Sequence, residues 1–342
     1  MSQENEDKKE KVHLDEILKS LFSTSQQVLT NFINVMFNEN HTNEDIKISF
    51  SNSEFSLENS GYNIIRGDLF LGLVTQEQNE INYQVEFQTK NDTSMAIRMF
   101  EYGFNKAKEI ATLEKNRRVL YYPKQMVIFI EENSNIEDEL KITVVFPNGN
   151  EVDYSVPVMK YWNYTDKDLM EKNLYLLLPL QIFKFRKNLD NTKRKNKDNI
   201  QDELNEILEE AKNMACKVIE DYRALVNDRE LLDPTDLHKM LLAIQNLIEY
   251  LNSNYGIDDK IEREVIQMTK SLYDPLVEEK GEKKGKIELT LELLKEKFNP
   301  STDIINEITN KLMSVTDLNV LGSLFKEALK CVDLDSFIKK IK

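Results

Sequence analysis

Cysteine is nearly absent. Only Cys216 and Cys331 occur in 342 residues, too few for a disulfide scaffold, so reduced thiols and a cytoplasmic setting are the expectation. No stretch approaches the run of about 18 apolar residues that a membrane helix needs. The opening MSQENEDKKEKV is charged throughout and lacks the apolar core of a signal peptide. There is no Walker A loop, no GxGxxG after a strand, no GxSxG, no CxxC and no HExxH, so nothing points to a nucleotide cofactor or to a nucleophilic serine or cysteine. Basic charge is also in deficit: 45 Lys and Arg stand against 60 Asp and Glu, for a net charge of −15. A nucleic-acid partner would then need a local basic track rather than a basic protein.

What is present is a pattern of 40% hydrophobic and 31% charged residues over a length that accommodates two domains. The stretch from Tyr62 to Tyr102 organises it. Ile65, Leu69, Leu71 and Leu73 predict one face of a first strand, with Asp68 on the other beside Arg66 and Phe70. After a polar turn, Ile81, Tyr83, Val85 and Phe87 alternate with Asn82, Gln84, Glu86 and Gln88, so Glu86 and Gln88 share a face. Asn91-Asp92-Thr93-Ser94 predicts a helix cap, and the helix it opens carries Arg98 and Tyr102 four apart on one side. Carboxylates inside apolar strands are costly unless a cation meets them. If the strands pair as a hairpin, Asp68 and Glu86 converge. With the Phe87 carbonyl they make a set of hard oxygens suited to Mg²⁺.

Arg66-Gly67-Asp68-Leu69, then Val85-Glu86-Phe87-Gln88, then Met95, Arg98 and Tyr102 resemble the PD-(D/E)XK nuclease superfamily, most closely its Rpn branch of recombination-promoting nucleases and transposase-like proteins. The resemblance spans roughly residues 14 to 185. It implies an α/β fold, a mixed central sheet flanked by helices, and an Mg²⁺-dependent DNA endonuclease. Asp68, Glu86 and the Phe87 carbonyl would be metal ligands. Gln88 stands where the superfamily usually has lysine, so it would orient water without bringing charge, and Arg98 or Lys90 would supply the positive charge. Tyr102 would be an accessory contact. In parts of the superfamily an early glutamate joins the metal site; Glu54 and Glu58 are the candidates for it, with a solvated loop acid the favoured reading of each. The alternative is a decayed nuclease fold that binds DNA or a protein.

In chain order, residues 1–13 predict a disordered lead, 14–190 the nuclease-like domain, 191–200 a basic linker and 201–342 a helical region offering a surface for self-association. Helical spacing runs from Leu14 to Met36, with a break at Ser23-Thr24-Ser25. Lys115, Arg117, Arg118 and Lys124 surround a turn before an apolar strand at 126–130. Asn148-Gly149 between alternating runs predicts a hairpin. Lys184 to Lys197 carries seven bases and one acid, either a nucleic-acid track or a solvated linker. Asp233-Pro234 starts a helix, and further helices are expected at 257–276 and 286–298.

Overall fold

The computed structural model describes residues 14, 16–44, 46–51, 54–56, 64–66, 69–75, 80–195, 199–229, 232–256 and 259–341. The expected lead at 1–13 therefore lies outside the described residues, as do Gly67, Asp68 and Glu58. One compact unit ends at Thr269 and the other begins at Lys270.

The first unit is built on a six-stranded mixed sheet. Its strands are β1 (Ile46–Ser51), β4 (Leu69–Thr75), β5 (Glu80–Gln88), β8 (Lys124–Phe129), β9 (Glu139–Val145) and β10 (Glu151–Lys160), in the spatial order β1-β4-β5-β8-β10-β9. β1, β4 and β5 are antiparallel neighbours; β5, β8 and β10 are parallel. Parallel neighbours need a crossover. Helix α3 (Met95–Glu109) lies in the connection from β5 to β8.

Alternation along β5 decides what covers each face. Tyr83, Val85 and Phe87 turn to the layer formed by helix α1 (16–22) and helix α2 (Gln26–Phe37). The Phe87 ring meets Phe22 at 5.6 Å and the Tyr83 ring meets Phe37 at 4.8 Å. The break between these two helices falls where the serines predict it. Gln84, Glu86 and Gln88 turn to α3, whose Met95, Met99 and Tyr102 close over Phe70, Val127 and Phe129. Gly103 lets α3 approach closely, since a Cβ there would lie 2.3 Å from the Tyr122 ring. Beneath the helix, Gln125 Nε2 donates to Gln84 Oε1 and the Met99 carbonyl, while the Tyr154 hydroxyl donates to Gln125 Oε1. These buried amides are paired, as burial requires.

The expected first motif strand is divided. β3 (Ile64–Arg66) pairs with β2 (Glu54–Ser56) in a separate small sheet, and the main-sheet strand starts at Leu69. Arg66 is therefore not a same-strand neighbour of Phe70. Apolar periodicity continues on both sides of the Gly67-Asp68 pair, which lies outside the described residues, so the pattern does not show this division. A second unforeseen hairpin, β6 (Thr112–Glu114) with β7 (Arg117–Val119), follows α3. The hairpin predicted around Asn148-Gly149 is present as β9 and β10, with Gly149 at φ 82°.

Past the sheet, helices α4 (Asp166–Glu171), α5 (Leu180–Phe183) and α6 (Phe185–Lys193) lead into α7 (Ile200–Arg229) and α8 (Pro234–Tyr255). Asp233 caps α8 by accepting from the Thr235 amide at 2.7 Å. Most of the described basic segment is helix α6 rather than a linker; Arg186 is buried, whereas Lys187, Lys193, Arg194 and Lys195 are exposed. Arg186 pairs with Glu131, Lys193 donates to the Asn254 carbonyl, and Lys195 meets Glu203. Of the expected linker at 191–200, residues up to Lys193 belong to α6 and α7 begins at Ile200.

Helix α9 (Lys260–Phe298) is continuous across the interval expected to separate two helices. Its Glu/Lys-rich sequence favours helix, and Lys286 pairs with Glu282 one turn away at 2.7 Å. In the second unit, Ile287 and Leu294 of α9 pack with Ile308 and Leu312 of α10 (Thr302–Met313), Leu321 and Leu324 of α11 (Leu318–Lys330), and Phe337 of α12 (Leu334–Ile338). Among the described residues no helix is long and apolar enough to cross a membrane.

Candidate active site

Glu86 is the centre of the site. It lies near the end of β5, a central strand, and is 0% exposed. A buried carboxylate must be met by donors or cations. Gln88 Nε2, two residues on and on the same face, donates to Glu86 Oε1 at 2.9 Å. Arg98 Nη2, from the first turns of α3, donates to the same oxygen at 2.9 Å. The helix brings the arginine within reach because the turn after β5 is short and Asp92 fixes where α3 starts. Asp92 Oδ1 accepts from the Ser94 amide and hydroxyl at 2.8 and 2.6 Å, while its Oδ2 takes Arg98 Nη1 at 3.0 Å. Arg98 Nε donates to the Tyr102 hydroxyl at 3.2 Å.

Charge follows this geometry. Burial works against the charged form of Arg98, but Glu86, Tyr102 and Asp92 outweigh it and hold its pKa above the ordinary arginine value. Burial works against the Asp92 carboxylate as well. The Ser94 hydroxyl and amide, with Arg98, overcome that and hold it below the usual carboxylate range.

Of the residues expected at the site, the structure brings together Glu86, Gln88, Arg98 and Tyr102. Phe87 faces the opposite layer with its ring, but its peptide matters separately. The Gln88 carbonyl accepts from the Ile130 amide on the β8 side at 2.8 Å. Alternation of peptide directions along the strand then aims the Phe87 carbonyl toward β4. Lys90 is exposed in the turn beyond β5. Glu54 sits in the small β2–β3 sheet rather than on the main sheet. Asp68 and Glu58 lie outside the described residues. Asp92, legible in sequence as part of the cap cluster and as a partner for Arg98, does both: one carboxylate oxygen takes Ser94 and the other orients Arg98.

The oxygen chemistry of Glu86 and the Phe87 carbonyl suits a hard cation. Among the described residues, however, no three His, Cys, Asp or Glu side chains gather as metal ligands. Arg98 meanwhile already offsets the charge on Glu86. No family model, curated protein or solved structure matches the chain.

Proposed function

We propose that the chain is a Mg²⁺-dependent DNA endonuclease with a PD-(D/E)XK-like core. The observation that carries this is Glu86: a carboxylate buried inside a central strand, with Gln88 beside it on the same face and an arginine from the next helix against it. A helix pair, antiparallel strands, the Glu-x-Gln strand, a covering helix and a parallel strand follow in an order that suits the resemblance. The last described rung between the motif strands pairs Leu69 with Val85, next in sequence to Asp68 and Glu86.

Glu86, Asp68 and the Phe87 carbonyl would hold the ion. The chemistry Mg²⁺ supplies when bound is Lewis acidity: a nearby water loses its proton more readily and charge on the scissile phosphate is offset. Gln88 would orient the attacking water through its amide. Arg98, kept cationic by its neighbours, would face the phosphate once its bond to Glu86 is shared. Nicking of supercoiled plasmid with and without Mg²⁺ tests this. Asp68→Ala and Glu86→Ala are each expected to abolish Mg²⁺-dependent nicking while circular dichroism stays unchanged. Persistent cleavage by both variants rejects the assignment.

One observation favours a second reading. The Arg98 guanidinium supplies Glu86 with a counter-charge unaided by metal, as a decayed nuclease fold that only binds DNA or a protein would require. Calorimetric titration separates the two, since binding of Mg²⁺ at millimolar concentration that disappears in Glu86→Ala belongs to the nuclease alone.

A further inference from the structure

The β6–β7 hairpin has features that the sheet and its site do not explain. Its loop is only Lys115 and Asn116, both with positive φ, at 45° and 64°. A two-stranded hairpin is marginal in water unless something lies against it, and every residue from Thr112 to Arg118 is exposed. Leu113 is 73% exposed and Tyr121, just beyond β7, is 50% exposed. Leu113 and Tyr121 thus offer apolar surface on an element that is exposed from Thr112 to Arg118.

Charge says what kind of partner that surface suits. Residues 105–124 carry six bases and two acids, a local reversal in a chain of net −15. Lys106 pairs with Glu109 and Lys124 with Glu39, whereas Lys115, Arg117 and Arg118 project from the hairpin itself. The one acid within the hairpin, Glu114, accepts from the Tyr121 hydroxyl at 2.6 Å and ties that ring to the face it shares with Arg117. Leu113 lies directly across from Arg118 in the ladder, so an apolar surface and a guanidinium share one face. Cations alone would suit any anionic polymer. Each face of the ribbon thus sets a guanidinium by an exposed apolar group, Arg118 with Leu113 on one and Arg117 with Tyr121 on the other, which suits a strand whose bases are unpaired, because duplex DNA hides its base faces.

We infer that the β6–β7 hairpin with Tyr121 is a grip for single-stranded DNA. Arg117, Arg118 and Lys115 take the phosphates, while Tyr121 and Leu113 take base faces. The choice of DNA as the nucleic acid rests on the proposed nuclease activity.

The test is fluorescence anisotropy of the full chain in EDTA with a fluorescein-labelled thymidine oligonucleotide, against a labelled duplex of equal length. The single strand is expected to bind more tightly than the duplex. Arg117→Glu with Arg118→Glu should weaken single-strand binding at least tenfold and flatten the salt dependence by about 1.4 in log–log slope, at about 0.7 per phosphate contact. Tyr121→Ala should weaken the single strand about tenfold, within the range for one stacked base, and leave the duplex unchanged. Unaltered binding in both variants, or equal affinity for duplex and single strand, overturns the inference. The two proposals fail separately. Hairpin-dependent binding without any nicking removes the nuclease and leaves the grip, whereas wild-type nicking alongside hairpin-independent binding removes the grip and leaves the nuclease.

Discussion

Two arginines meet buried glutamates in the first unit, and they do so differently. Arg186 of α6 clasps Glu131, just past β8, with a two-pronged fork: Nε to Oε1 at 2.6 Å and Nη2 to Oε2 at 3.0 Å. Both side chains are over nine-tenths buried, and the pair ties a helix to the end of a strand. Arg98 instead spends one donor each on Glu86, Asp92 and Tyr102, and it is 25% exposed. The described bonds from Arg98 and Gln88 both end on Oε1 of Glu86. A fork that saturates a carboxylate is a clamp. An arginine divided among three partners at the edge of solvent can release one of them and keep its place.

Stability measurements should separate the two pairs. Arg186→Met leaves Glu131 charged and buried, and the loss is expected at about 5 kcal/mol, the upper end for a broken buried pair. Adding Glu131→Leu should return most of that, because two apolar groups carry no desolvation penalty. Urea unfolding of the single and double variants reads both numbers. If Arg186→Met costs under 1 kcal/mol, the clamp assignment is wrong.

Arg98→Met should cost less, about 3 kcal/mol in EDTA. The sharper difference lies in metal. Mg²⁺ at a hundredfold excess over its Kd should restore about 2.7 kcal/mol to a protein that binds it only when folded. That recovery is expected for Arg98→Met and absent in Glu86→Ala. If Arg98→Met gains nothing from Mg²⁺, Glu86 is not a metal ligand and its arginine is a second clamp.

Much of this comparison was legible only in part from sequence. Strict alternation from Ile81 to Gln88 set the faces of β5 correctly, because apolar and polar side chains segregate to opposite faces even though residues 82–87 are all buried. Asn148-Gly149 and Asp233-Pro234 marked a hairpin and a helix start, because turn and cap chemistry is local. The division between Arg66 and Leu69 was missed, since apolar periodicity continues across a Gly-Asp pair that need not continue the strand. A turn among Lys115, Arg117 and Arg118 was legible, but not the strands flanking it, since Lys115-Asn116 lacks the glycine that usually marks a two-residue hairpin loop. The interval left between the helices expected at 257–276 and 286–298 holds Gly281 and Gly285, each costing a helix interior about 1 kcal/mol. Neighbouring Glu and Lys residues favour helix across it. The partners of Glu86 and Glu131 lie 12 and 55 residues away, and no local pattern announces them.

Asp92 links the site to the helix that serves it. Asp92→Ala removes the bond to the Ser94 amide and one of the bonds to Arg98, with an expected loss of about 1–2 kcal/mol by thermal or urea melting. The folded pKa of Asp92 is lowered from 3.8. Its contribution is thus present above the unfolded value and lost as pH falls from there through the folded value. Asp92→Asn keeps an acceptor for the Ser94 amide but cannot ionise. It should lose less at neutral pH and lack this part of the acid limb. An acid limb identical to wild type would detach Asp92 from Arg98.

The smallest expected effect concerns Lys184, the basic-segment residue that precedes Arg186 and its clamp. Burial pushes its pKa down to about 8, although Asp166 and Asp168 pull the other way. Its ammonium donates to the Tyr164 carbonyl and lies 4.9 Å from the centre of the Tyr161 ring. Between about pH 8 and the unfolded lysine value of 10.5, the unfolded chain binds more protons than the folded one. Stability from this group therefore rises with pH across that window. Tyr161 and Tyr222 act in the opposite sense. Burial raises both from the ordinary value of 10.0, so ionisation of the unfolded chain lowers stability above that pH. A modest rise in midpoint denaturant from pH 8 to about 10, followed by a fall, is the expected profile. Lys184→Met should flatten the rise and keep the fall, since Gln181 still donates to the Tyr164 carbonyl at 3.1 Å. The same variant tests the contrast with Arg98. A cation that answers to burial in the helical layer should leave Mg²⁺-dependent nicking unchanged, and a loss of nicking in Lys184→Met would join the two regions that the arginines set apart.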